Sequence, residues 1–171
     1  MEKILVLGLG NLLLCDEGVG VHAAQALLNT RMPEGVTVRD TGTAILDAIP
    51  DLEEADFVIV VDAVKADGDP GTVYRVPFGD MLHPECIGSM HGFDLSRVLA
   101  LAGRETSPEV IVIGVEPGVI DWSIELSPAV ADALPAVIDQ VMLEIGEYLE
   151  KARGPQSSRP SAECVDGTRP A

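Results

Sequence analysis

The sequence predicts an α/β fold, a three-layer α/β/α sandwich around a mostly parallel, five-stranded twisted sheet. Three observations carry this reading. Short unbroken apolar runs, "KILVLGL", "ADFVIVVDAV" and "PEVIVIGVEP", are rich in Val and Ile, as strands buried on both faces are. Segments with helical spacing of apolar residues lie between the strands. The connections are short, so successive strands run parallel with helices covering both faces.

Taken in order, "KILVLGL" is the first central strand, and the glycines of "GLGNLLLCDEGVG" turn the chain off it. The helix "EGVGVHAAQALLNT" follows, with Val19, Ala23, Ala24, Leu27 and Leu28 on one face. "VTVRD" alternates and reads as a strand nearer an edge. "ADFVIVVDAV" is the second central strand, and "GTVYRVP", after the turn "DGDPG", is another alternating strand near an edge. "DLSRVLALAG" places Leu95, Val98, Leu99 and Ala102 on one helical face and stops at Gly103. After the third central strand, "PEVIVIGVEP", the segment "SPAVADALPAVIDQVMLEIGEYLEKA" opens with Ser127 as cap and Pro128 in the first turn. Pro135 is expected to kink that helix or split it in two. Residues 1–152 form the expected domain, and 153–171, without periodicity and rich in Pro, Ser and Gly, a disordered tail.

Composition narrows the function. A chain of 171 residues suits one domain. Its 11 basic and 28 acidic residues leave a net charge of -17, which repels nucleic acid and anionic membranes and favours cations or basic protein surfaces. Cys15, Cys86 and Cys164 are an odd count without a C-x-x-C pair, so neither a disulfide framework nor a zinc ribbon is expected. The N-terminal apolar run is broken by glycines, Asn11 and an acidic pair well short of a membrane span, and it lacks the marks of a signal peptide. A cytoplasmic protein is expected.

Open α/β sheets collect ligands beyond the carboxyl ends of their strands, and the polar residues there are Asn11, Asp16, Glu17, Asp40 in "DTGT" and Asp62. His91, in "GSMHGFD", stands before a helix. Gly8 and Gly10 open a dinucleotide fingerprint, but its third glycine position holds Leu13. The carboxylates of Asp16 and Glu17 would also oppose a pyrophosphate at the helix N-terminus. A second reading joins Glu17, Asp62 and His91 as two carboxylates and an imidazole from separate loops, a donor set suited to nickel or zinc with a position left open. A structural reading stands beside it: Glu17 as a helix-dipole partner, Asp62 as a turn former and His91 as a surface loop residue. His22, beside Gln25 and Asn29 on a polar helix face, and His83 read as structural. Cys15 lies near the same strand end without an assignable His partner, and no G-x-S-x-G elbow is present.

The segments "ILVLGLGNLLLCDEGVG", "DTGT", "VVDAV", "SMHGFDL" and "VIGVEP" together resemble the hydrogenase maturation proteases, which trim the C-terminus of the nickel-iron hydrogenase large subunit. The resemblance spans nearly the whole chain before the tail. It implies a phosphorylase/hydrolase-like α/β/α domain with metal-binding residues at Glu17, Asp62 and His91. The metal it implies is nickel carried by the substrate, the large-subunit precursor, and no organic cofactor; the protease is expected to act as a monomer. A nickel chaperone or docking module without peptidase activity would use the same ligands.

On this reading the three ligands complete the coordination of the substrate's nickel, and Asp40 or Asp16 is the candidate general base or water-orienting group. One departure bears on the site. The family's second motif is often Asp-Gly-Gly-Thr, and Thr41 stands here at the first glycine position.

Overall fold

In the computed structural model, which describes residues 2–82, 88–89, 92–101 and 108–153, the apolar runs become the middle of the sheet. These are β1 (Ile4–Leu9), β3 (Phe57–Lys65) and β6 (Glu109–Val115). The alternating segments become β2 (Val36–Gly42) and β4 (Val73–Pro77), and a two-residue β5 (Gly88–Ser89) was not anticipated. The order is β2-β1-β3-β6-β4, with β5 pairing β3 off that path. β1, β2, β3 and β6 run parallel, while β4 lies antiparallel to β6. Every residue of β1 is buried, whereas β2 and β4, at the edges, are mostly intermediate or exposed. Continuous and alternating patterns thus separate central strands from edges, as pleat geometry requires.

Helices α1 (Val19–Leu28), α2 (Ile49–Glu54), α3 (Gly92–Leu101) and α4 (Pro128–Arg153) cover the two faces. Alternate strand residues supply two cores. Ile4, Val6, Ile59, Val61, Ile111 and Ile113 pack with Val19, Ala23 and Leu27 of α1 and Val137, Val141 and Ile145 of α4. Leu5, Leu7, Val58, Val60 and Val112 pack on the other side with Leu52 of α2 and Val98 of α3. Each fully buried Val, Leu or Ile contributes about 1.5–3 kcal/mol relative to exposure, so these two layers hold the strand ends in place.

Two local expectations change. Leu28 is 56% exposed, and Gly20 and Val21 are buried instead, because α1 approaches the sheet through its glycine. Pro135 lies inside one continuous 26-residue helix and does not divide it; the apolar face of α4 outweighs the backbone hydrogen bond that proline removes. Helix α2 and the preceding 3-10 turn Ile45–Ala48 contribute Ile45, Ala48 and Leu52 to a core although their stretch is too short for clear periodicity. Helix α4 extends through Arg153, one residue past the expected domain boundary. The rest of the expected tail, 154–171, lies outside the described residues, as do His83, Cys86 and Gly103.

Candidate functional site

The strand order reverses at β1, which has β2 on one side and β3 on the other. The carboxyl ends of β1 and β3 therefore face a natural crevice. The chain leaving β1 enters it through Gly10, at φ +134, where a Cβ would stand 1.9 Å from the Glu17 carbonyl oxygen. Asn11 then accepts from Leu13 N–H through its side chain at 3.0 Å and from Leu14 N–H through its carbonyl at 3.0 Å. A 3-10 turn, Cys15–Gly18, runs directly into α1. A Cβ on Gly20 would stand 2.2 Å from the carbonyl oxygens of both Leu9 and Val61. The close helix–strand contact that a dinucleotide fingerprint assigns to its third glycine is thus made here by Gly20, and the turn before it carries carboxylates.

Asp16 is fully buried, at 0% exposure. Its Oδ2 accepts from Gly118 N–H (2.8 Å), Val119 N–H (2.7 Å) and the Ser127 hydroxyl (2.8 Å), and its Oδ1 from Ser127 N–H (2.7 Å). Burial alone pushes this carboxyl up, but the donors of Val119, Ser127 and Gly118 outweigh it and hold it below its ordinary value. Asp16 is therefore a clamp between the loop after β1 and the loop after β6. Its oxygens accept from four fixed donors. Ser127 sits where a helix cap is expected, its carbonyl accepting from Ala131 N–H at 2.8 Å, while its hydroxyl is turned to Asp16.

Glu17 is 4% exposed and Asp62 1% exposed. The turn that carries Glu17 packs beside β3, and Asp62 lies near the carboxyl end of that strand, in register with Gly114 of β6. Its Oδ1 accepts from Ala63 N–H at 2.9 Å. Asp40 is exposed at the end of β2 and accepts from Gln25 Nε2 at 3.1 Å. It lines an open cleft of about 260 Å³ together with Gly10, Asn11 and Leu12. Thr41 donates to the Gly8 carbonyl at 2.9 Å, and Gly10 N–H donates to the Gly42 carbonyl at 3.1 Å. The residue that departs from the family motif thus ties β2 to β1 beside Asp40. His91 lies outside the described residues. Among the described residues, no three His, Cys, Asp or Glu side chains form a metal-holding group.

Glu116 is a site-proximal residue without a role assigned from sequence. Buried just past β6, its Oε2 accepts from Ala66 N–H (2.8 Å), Gly68 N–H (3.3 Å) and the Tyr74 hydroxyl (3.0 Å), which orders the loop after β3. Its signal was a carboxylate at the end of a central strand, the same signal that marked Asp62. Burial pushes the Cys15 thiol up, and the adjacent Asp16 charge adds to this; a protonated, buried thiol is a poor nucleophile. His22, on α1, bonds the Ile124 carbonyl at 3.1 Å and so belongs to the scaffold of the loop after β6.

The chain matches the hydrogenase maturation protease family model over residues 21–144. It is 34% identical over 179 residues to the hydrogenase expression/formation protein HupD of Bradyrhizobium diazoefficiens, covering 96% of this chain and 92% of the relative. It is 31% identical to the hydrogenase 2 maturation protease of Escherichia coli over 154 residues, covering 85% and 92%. Among solved structures it is similar to the hydrogenase maturating endopeptidase HybD from E. coli, with a TM-score of 0.72, 29% identity and coverage of 85% and 93%. The HybD protease from Thermococcus kodakarensis gives a TM-score of 0.69 at 28% identity, covering 86% and 98%. Asp16 and Glu17 precede the segment matched by the family model.

Proposed function

Since the chain belongs to the hydrogenase maturation protease family and is a peptidase of that kind, we propose that it removes a short C-terminal peptide from the large-subunit precursor of a nickel-iron hydrogenase, using the nickel already in the precursor as its recognition element. The observation that carries this reading is the pair of buried carboxylates, Glu17 and Asp62, held at the strand-order reversal by separate elements. Burying carboxylates is costly, and an acidic pair at a crevice suits a cation better than a phosphate.

His91 is the proposed third ligand. The pairing of β3 with β5 supports it, since Ser89, two residues before His91, lies opposite Val64, two residues after Asp62. With Glu17, Asp62 and His91 on the substrate's nickel, the scissile bond is placed at the crevice. Nickel held there would polarise the carbonyl or a water and so supply the electrophilic assistance for which no Ser or Cys arrangement is evident among the described residues. We assign the general base to Asp40 rather than Asp16, because Asp40 lines the open cleft while Asp16 is enclosed by its own donors.

The test is to incubate the protein with nickel-loaded and nickel-free precursor and follow the large subunit by mass spectrometry. Only the loaded form is expected to lose its C-terminal peptide; equal cleavage of both forms would sink nickel recognition. Glu17→Gln, Asp62→Asn and His91→Ala are each expected to cut the rate at least a hundredfold with the domain still folded. A loaded precursor that binds but keeps its mass would instead favour a docking or chaperone role.

A further inference from the structure

The segment after β6, "PGVIDWSIEL", carries an unusual density of exposed apolar side chains. Trp122 is 80% exposed, Ile124 62%, Val119 46% and Ile120 37%, and Leu13 on the loop after β1 is 51% exposed. The two loops form one unit. Leu14 bridges Ser123, Ser123 N–H donates to the Leu13 carbonyl at 3.1 Å, and Cys15 N–H donates to the Ser123 carbonyl at 2.8 Å. The Asp16 clamp fixes the other end through Gly118, Val119 and Ser127. Large apolar side chains in water are ordinarily scattered. Here they sit on backbone that is held in place, bonded to the loop that carries Glu17. Such preordering lowers the entropic cost of docking, and aromatic residues are favoured as interface anchors.

We infer that this double loop is the docking surface for the folded body of the protein substrate, while the crevice at Glu17 and Asp62 receives the part to be cut. The inference rests on the proposed function for the identity of that substrate. Its occupant is a protein surface with an apolar centre and a basic rim. The apolar centre meets Trp122, Ile124 and Leu13. The basic rim answers the exposed carboxylates Asp121 and Glu125 within the segment and the net charge of -17 of the chain. Continuity with the crevice is the argument for the substrate over a second copy of this chain, which carries the same acidic excess and would be repelled.

Trp122 is the single tryptophan of the chain, so 5-fluorotryptophan incorporation gives one fluorine resonance that reports on this surface alone. Titration with nickel-loaded precursor is expected to shift or broaden that resonance. Trp122→Ser is expected to raise KM for the precursor at least tenfold, with a smaller change in kcat and an unchanged melting temperature, since the side chain is outside the core. A resonance that does not respond, or a KM within twofold of wild type while the wild type cleaves, would overturn the docking surface. A resonance that changes with protease concentration alone would also overturn it, in favour of self-association. Should the wild-type protein leave the loaded precursor uncut, the proposed function falls, and the fluorine titration by itself decides whether the precursor docks here.

Discussion

Asp16 illustrates how much a single carboxylate can mean once its partners are known. From sequence it is one of two adjacent acids before a helix; in the fold it receives three backbone N–H groups and a hydroxyl from residues about a hundred positions away. Asp16→Ala would remove the charged acceptor of these part-buried donors, and a hydrogen bond to a charged group contributes about 1.5–3 kcal/mol. The expected loss is at least about 3 kcal/mol in urea unfolding, and a loss below about 0.5 kcal/mol would show the clamp to be dispensable. The pH dependence has a definite sign. A carboxyl held below its ordinary value stabilises the fold fully above that value, near pH 4, and loses the contribution as pH falls through its lower value in the folded protein. The stability gap between wild type and Asp16→Ala should therefore be constant at neutral pH and shrink in acid, as thermal melts at several pH values would show. Glu17 and Asp62 were legible as strand-end acids because their position along the chain is enough to place them; the task of Asp16 was not, because its donors come from the loop after β6.

At the scale of elements, the decisive contact is α1 against the ends of β1 and β3. Gly20 has carbonyl oxygens of both strands within 2.2 Å of where a Cβ would be, and neither can move without shifting a central strand. Gly20→Ala should lift the helix and cost about 3 kcal/mol, the upper part of the range for overpacked cores. For a domain of this size that corresponds to a melting temperature lower by roughly 6–12 °C. A melting temperature within about 2 °C of wild type would mean the helix can ride outward freely. Pattern reading placed α1 correctly and yet assigned Leu28 to its buried face, because average helical spacing does not know that the helix packs through a glycine. The short α2 was missed for a related reason. Six residues give too few turns for a period to emerge, and its Leu52 is recognisable as core only once the sheet is there to cover it.

The whole molecule carries 28 acidic and 11 basic residues, and some of its ion pairs, such as Arg39 with Asp51 and Arg75 with Glu144, already use the scarce cations. Self-repulsion should therefore weaken the folded state at low ionic strength. Screening shortens from about 30 Å at 0.01 M salt to about 3 Å at 1 M, so the melting temperature is expected to rise along a sodium chloride series. A flat or falling series would mean that the acidic surface is not a net burden on the fold. No helix among the described residues is long and apolar enough to cross a membrane, in keeping with the interrupted N-terminal run.

The sequence by itself determined the layers, the three central strands and two edges, the start of α4 at Ser127 and Pro128, and the strand-end acids from which a cation site could be argued. These follow from periodicity, which needs only neighbours along the chain. Tertiary structure alone decided that β4 runs antiparallel on the far side of β6, that Gly20 makes the helix–strand contact, that Asp16 is a clamp, and that Trp122 stands on the same strapped loops as Glu17. Each of those depends on which distant backbone groups come to lie against a given side chain, and the register of buried hydrogen bonds settles that only when the chain has folded.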